Sequence, residues 1–142
     1  MDSTSAIRFA SLRAAMTITD ATPTGKRLYS FTLDHLAERL TVREILRARI
    51  WQEVGDYNQR PPEVFRGLVQ PTNAERMHNG AKLRTPRAID WEAQFRRACE
   101  AFETNGFFVL IGDRQAESLD EEFDIGVETE VQFVKLTPLV GG

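Results

Sequence analysis

The string Thr22-Pro23-Thr24-Gly25 constrains this chain more than any other. Proline fixes φ and glycine accepts φ > 0, so the four residues favour a tight reversal. On one side, from Leu12 to Asp20, Met16 and Ile18 alternate with Thr17 and Thr19. On the other, Tyr29, Phe31 and Leu33 alternate with Ser30 and Thr32. Period-two alternation about a Pro/Gly turn predicts a β-hairpin with one buried face, its second strand ending at His35. The rest of the chain must cover that face.

A helix is well placed to do so. Thr41-Val42-Arg43-Glu44 fits a capping box, in which the hydroxyl and the carboxylate satisfy reciprocal backbone N–H groups. Val42, Ile45, Leu46, Ile50 and Val54 then fall on one helical face, and Gly55 is expected to end the helix. Residues 56–89 hold Pro61, Pro62, Pro71 and Pro86, are broken by Gly67 and Gly80, and read as irregular. Arg60, Arg66, Arg76, Lys82, Arg84 and Arg87 make this stretch basic. A second helix over 90–105 is marked by Asp90 as N-cap and by Asn105-Gly106 as an αL termination. Trp91, Phe95, Ala98, Cys99 and Phe102 share its apolar face, and Trp51 and Trp91 are expected to fill packing.

Phe107-Phe108-Val109-Leu110-Ile111 is a continuous apolar β run, as a buried strand requires, and Gly112-Asp113 follows as a turn. Beyond the acidic Asp120-Glu121-Glu122 and a second turn at Gly126, Val131, Phe133 and Lys135 alternate with Gln132 and Val134 in a last strand. The chain then runs out as Thr137-Pro138-Leu139-Val140-Gly141-Gly142.

At 142 residues, with 42% hydrophobic and 27% charged side chains, one domain with one core is expected. No apolar run is long enough to span a bilayer, and Met1-Asp2-Ser3-Thr4-Ser5 lacks the features of a secretory signal, so a cytoplasmic protein without a membrane partner is expected. The net charge of −3 divides unevenly: +3 over residues 1–50, +1 over 51–100 and −7 over 101–142. Such asymmetry favours charge-guided docking on a protein partner, with Asp120, Glu121 and Glu122 as candidate docking residues. Nucleic acid is a poor fit, because Glu63 and Glu75 offset the basic stretch.

Catalytic and metal chemistry find little support. His35 and His78 stand far apart, and the single cysteine, Cys99, allows neither a disulfide nor a CxxC motif, so no zinc site is expected. Cys99 reads as a packed thiol on an apolar helix face. No phosphate loop, dinucleotide fingerprint or nucleophile elbow occurs. The chain is therefore expected neither to be an enzyme nor to hold a cofactor.

Three strings carry a family resemblance. Thr41-Val42-Arg43-Glu44-Ile45-Leu46 is similar to the helix start of sulfur-carrier proteins. Gly126-Val127-Glu128-Thr129-Glu130-Val131-Gln132-Phe133 is similar to the approach to their last strand, although Val127 replaces the usual aspartate. Residues 137–142 resemble the tail of the molybdopterin-synthase small subunit and of the thiamine-pathway sulfur carrier. Together with the order hairpin, helix, strands, final strand, they make residues 12–55 and 106–142 resemble the ubiquitin-like β-grasp superfamily. The resemblance implies a single α+β domain over residues 1–142 with a flexible start at 1–11, a loop-plus-helix insertion at 56–105 and an extended tail at 137–142. Sulfur carriers are shorter, and bacterial ubiquitin-like modifiers, which carry variable decorations, fit the insertion as well.

The tail has a physical logic of its own. Six residues extend about 20 Å at ~3.3–3.6 Å each, and Gly141 and Gly142, lacking Cβ, suit a narrow channel. An α-carboxylate at Gly142 is ionised at neutral pH and can attack the α-phosphate of ATP held by another protein. The resemblance thus implies an E1-like activating enzyme that uses the ATP and grips Pro138, Leu139 and Val140. An E2-like conjugating enzyme, a JAB-type peptidase and an acceptor protein belong to the same scheme. Three outcomes stand open: a conjugated modifier, a sulfur carrier with a C-terminal thiocarboxylate, and a non-covalent adaptor.

Overall fold

The computed structural model describes residues 14–35, 37–61, 65–71, 74–77, 80–83, 88–126 and 128–136. In it the hairpin forms around the Pro/Gly turn. The Gly25 N–H donates to Thr22 O at 2.9 Å, and Gly25 itself takes φ +92°. Strands β1 (Ala14–Ala21) and β2 (Arg27–His35) pair antiparallel from Ala14–His35 to Asp20–Tyr29. The register then shifts so that Ala21 meets Arg27, leaving Leu28 as the extra residue of a bulge.

A short strand β3 (Arg39–Thr41) leads into helix α1 (Val42–Gln59) through the expected capping box. The Glu44 N–H donates to Thr41 Oγ1 at 3.1 Å, and the Thr41 N–H donates to Glu44 Oε1 at 2.9 Å. The expected face, Val42, Ile45, Leu46, Ile50 and Val54, is buried on the sheet. The helix does not end at Gly55. A Cβ there would meet nothing within 4 Å, so this glycine sits on an open face and costs only its helix propensity of about 1 kcal/mol. Tyr57 beyond it still packs into the core. The stop is Pro61, which drives the preceding residue out of the helical region: Arg60 has φ −147° and ψ 76°.

The stretch expected to be irregular contains an antiparallel ladder between β4 (Ala74–Met77) and β5 (Gly80–Leu83). Helix α2 (Trp91–Glu103) begins as expected, with the Asp90 side chain accepting from the Glu92 N–H. It ends as expected too. Asn105 takes φ +62°, its N–H donates to Phe102 O, and the Gly106 N–H donates to Ala101 O, the paired bonds of an αL termination. Ala98 and Phe102 are buried, and Trp91, Phe95 and Cys99 pack against the core edge. Burial raises the Cys99 thiol pKa, which suits a packed thiol. Trp51 packs on the insertion rather than in the core: it is 60% exposed and edge-on to Trp91 at 5.1 Å.

Strands β6 (Phe107–Ile111), β7 (Arg114–Gln115), β8 (Glu122–Asp124) and β9 (Glu130–Lys135) complete the fold. The main sheet runs β2-β1-β9-β6-β7, with β1 and β9 parallel and its other pairings antiparallel; β8 pairs with β3 apart from it. Among the described residues the result is α+β, a five-stranded mixed sheet with two helices. Met16, Ile18, Leu33, Val109, Val131 and Phe133 line the buried face under α1, each such side chain contributing about 1.5–3 kcal/mol on burial. No helix among the described residues is long and apolar enough to cross a membrane. The expected flexible start at 1–11, His78, Val127 and the tail with Pro138, Leu139, Val140, Gly141 and Gly142 lie outside the described residues.

Candidate functional site at the root of the tail

Strand β9 is the centre of the sheet, between β1 and β6, so the chain leaves toward residues 137–142 from the middle of one sheet end. Phe133 is buried, Lys135 closes the strand opposite Phe107, and Leu136 is 36% exposed. What holds this exit is ionic. Strand alternation puts Asp20 on the core face after Met16 and Ile18, in register with Phe133. Arg49, on the inward stripe of α1, has no solvent exposure. Its Nη1 and Nη2 donate to Asp20 Oδ1 and Oδ2 at 2.5 and 2.7 Å, and its Nε donates to Glu53 Oε1 at 2.5 Å. The guanidinium also lies over the rings of Phe133 and Phe31, at 4.5 and 5.2 Å from their centroids. Burial alone would lower the Arg49 pKa. Glu53 and Asp20 outweigh it, and the guanidinium is held above its ordinary value, fully charged.

Lys135 extends the cluster to solvent. Its Nζ lies 3.4 Å from Asp20 Oδ2 and donates to Gly67 O at 3.2 Å. The second Glu53 oxygen accepts from the Leu68 N–H at 3.2 Å. Residues 65–71 of the expected insertion are thereby pinned to α1 and to the end of β9, with Phe65 and Leu68 buried. Gly67 is required by this approach: a Cβ would fall 2.9 Å from Glu53 Oε2 and collide with the Phe65 ring. At the other end of β9, Glu130 accepts from Arg27 Nη1 and from Thr19 Oγ1, both at 2.7 Å. These bonds hold its carboxyl below the usual glutamate range.

The candidate docking carboxylates sit elsewhere. Asp120 accepts from Arg43 at 3.1 Å, Glu121 from Arg114 at 2.9 Å and Glu122 from Arg39 at 2.6 Å. Their loop serves the N-terminus of α1, where Glu121 O accepts from Val42 N–H and Leu119 O from Arg43 N–H. Ten helical residues separate Arg43 from Glu53, or roughly 15 Å of axis. The fold therefore does not bring Asp120, Glu121 and Glu122 to the tail root, and each is already engaged by an arginine of the same chain.

Sequence reasoning missed Asp20, Arg49, Glu53 and Lys135 as a unit. The signal was present: Arg49 and Glu53 stand four apart on the stripe that Ile45, Leu46, Ile50 and Val54 mark as inward, and buried charges require partners. No family model, curated protein or solved structure matches the chain.

Proposed function

We propose that this chain is a ubiquitin-like β-grasp modifier whose Gly142 carboxylate is adenylated by an E1-like enzyme and joined to a target protein. One observation carries the proposal: the last described strand lies parallel to the first at the sheet centre, and the diglycine follows it in sequence. The order of hairpin, helix, further strands and final strand supports it. The ionic cluster adds a rigid root, so the activating enzyme meets residues 137–142 at a fixed origin. The same terminus suits a sulfur carrier, and the two differ only in what captures the acyl-adenylate: a protein amine or sulfide.

ATP–pyrophosphate exchange with the cognate activating enzyme tests the shared step. Deleting Gly142 abolishes exchange and leaves the thermal melt unchanged, because removing one terminal residue ordinarily costs little stability. Extension past Gly142 blocks exchange until a peptidase trims it. Intact mass then separates the outcomes, isopeptide adducts marking the modifier and replacement of one oxygen by sulfur the carrier. Exchange that survives the Gly142 deletion removes both and leaves the non-covalent adaptor.

A further inference from the structure

Nine carboxylates fall between residues 101 and 142, and arginines of the same chain hold five of them. Arg43 takes Asp120, Arg114 takes Glu121, Arg39 takes both Glu122 and Asp124, and Arg27 takes Glu130. Among the described residues, Glu103, Asp113, Glu117 and Glu128 have no such partner. Glu103 and Glu117 line one cleft of about 490 Å³, walled by the end of α2, the start of β6 and residues 115–120. Every residue that lines it belongs to the described stretches. Phe102, Phe107 and Leu119 give it buried apolar walls. Arg43 also reaches it, but Asp120 meets that charge at 3.1 Å. The Glu103 and Glu117 charges are left over.

The end of α2 makes those charges unfavourable as they stand. Its last turn holds Glu100 and Glu103 and no basic residue. Aligned peptide dipoles already place partial negative charge at a helix C-terminus, where cations are favoured and carboxylates are not. A local rule broken without compensation inside the chain is the pattern of a site kept for something else. We propose that this cleft is a docking site for an arginine-bearing segment of a protein partner. Charge complementarity selects the occupant. Two bare carboxylates and a helix C-terminus offer only acceptors, so the occupant must bring a cation rich in donors. A guanidinium gives paired N–H bonds to a carboxylate, whereas an ammonium acts as a compact point charge. The arginine stem is apolar and lies well along walls such as Phe102 and Leu119. A cleft of this volume also admits the residues flanking the arginine, which favours a chain segment over the free amino acid. The docking does not depend on activation at Gly142.

Heteronuclear NMR of the full chain, titrated with an end-blocked glycine-arginine-leucine-arginine-glycine peptide, is the test. At low salt the backbone amides of Glu103, Asn105, Glu117 and Leu119 shift saturably at millimolar peptide, and added salt weakens binding because the charges are exposed. Replacing both arginines of the peptide by uncharged citrulline abolishes the shifts. Glu103→Gln with Glu117→Gln weakens binding at least about tenfold, while Asp113→Asn, which removes a carboxylate outside the cleft, leaves it unchanged. Glu103→Gln alone raises Tm, since a negative charge leaves the negative end of α2. Absence of saturable shifts at these amides, equal binding of the citrulline peptide or by the double glutamine variant, or a Tm that does not rise overturns the proposal. Arginine amide that binds as tightly as the peptide overturns the protein partner and marks a small-molecule site.

Discussion

Two sets of ion pairs, one at the N-terminus of α1 and one at its middle, behave differently. At the N-terminal end, Arg39, Arg43 and Arg114 hold Glu122, Asp120 and Glu121 at the surface, each arginine 46–65% exposed. Less than two turns beyond Arg43, Arg49 holds Asp20 and Glu53 almost wholly out of water. The chemistry is the same and the geometry comparable. Burial changes the consequence: an exposed pair that breaks returns its charges to solvent, whereas a buried one strands a charge. The acidic loop is therefore replaceable at the level of stability, and the cluster under β9 is not.

The largest effect should come from the buried end. Arg49→Ala removes the cation from Glu53 and leaves Asp20 with Lys135 alone, and is expected to cost about 3–5 kcal/mol in chemical denaturation. Replacing Arg49 by Met and Asp20 by Leu together should recover part of that loss, since the more deeply buried carboxylate leaves with the cation while Glu53 keeps its charge. If the double variant is no more stable than Arg49→Ala, packing rather than charge dominates the site. A smaller, pH-dependent effect belongs to Glu130, whose folded pKa lies below its ordinary 4.5. Its contribution is complete above about pH 5 and disappears as pH falls below 4.5 through the lower folded value. Glu130→Gln should flatten the acid limb of Tm against pH, and an unchanged limb would show that other carboxylates govern it. The smallest effect is at the exposed end: Asp120→Asn should alter stability by no more than about 0.5 kcal/mol, and a larger loss would mean that the Arg43 pair is less solvated than its exposure indicates.

Local signals were the legible part of this fold. The Thr41–Glu44 box, the Asp90 cap and the αL residue Asn105 each depend on atoms within four positions, and each forms where the residues place it. Non-local facts were harder to read. Whether Asp20 points inward is fixed by strand register, and its partner lies 29 residues away in α1. The helix end was misassigned because Gly55 is a local breaker whose cost is small, while Pro61 acts sterically on its neighbour. The β4–β5 ladder has no such local mark: Met77 pairs with Gly80 itself, so the Asn79-Gly80 dipeptide does not fall at the two turn positions where it signals a hairpin. At the candidate site, the diglycine was readable and the clamp at its root was not.

The parallel pairing of β1 with β9 also bears on how the chain is made. Thr19 and Glu130 meet across 111 positions, so the hairpin leaves the ribosome long before its central neighbour exists. Until β9 emerges, β1 shows one bare edge, and Asp20 lacks the Lys135 ammonium and the Phe133 ring beside it. Closing so long a loop carries a large entropic cost before any contact repays it, and such topologies fold slowly. A nascent chain stalled before residue 130 would keep β1 and β2 apart from β6 and β7 with a bare side on β1, which is the surface a chaperone would have to shield.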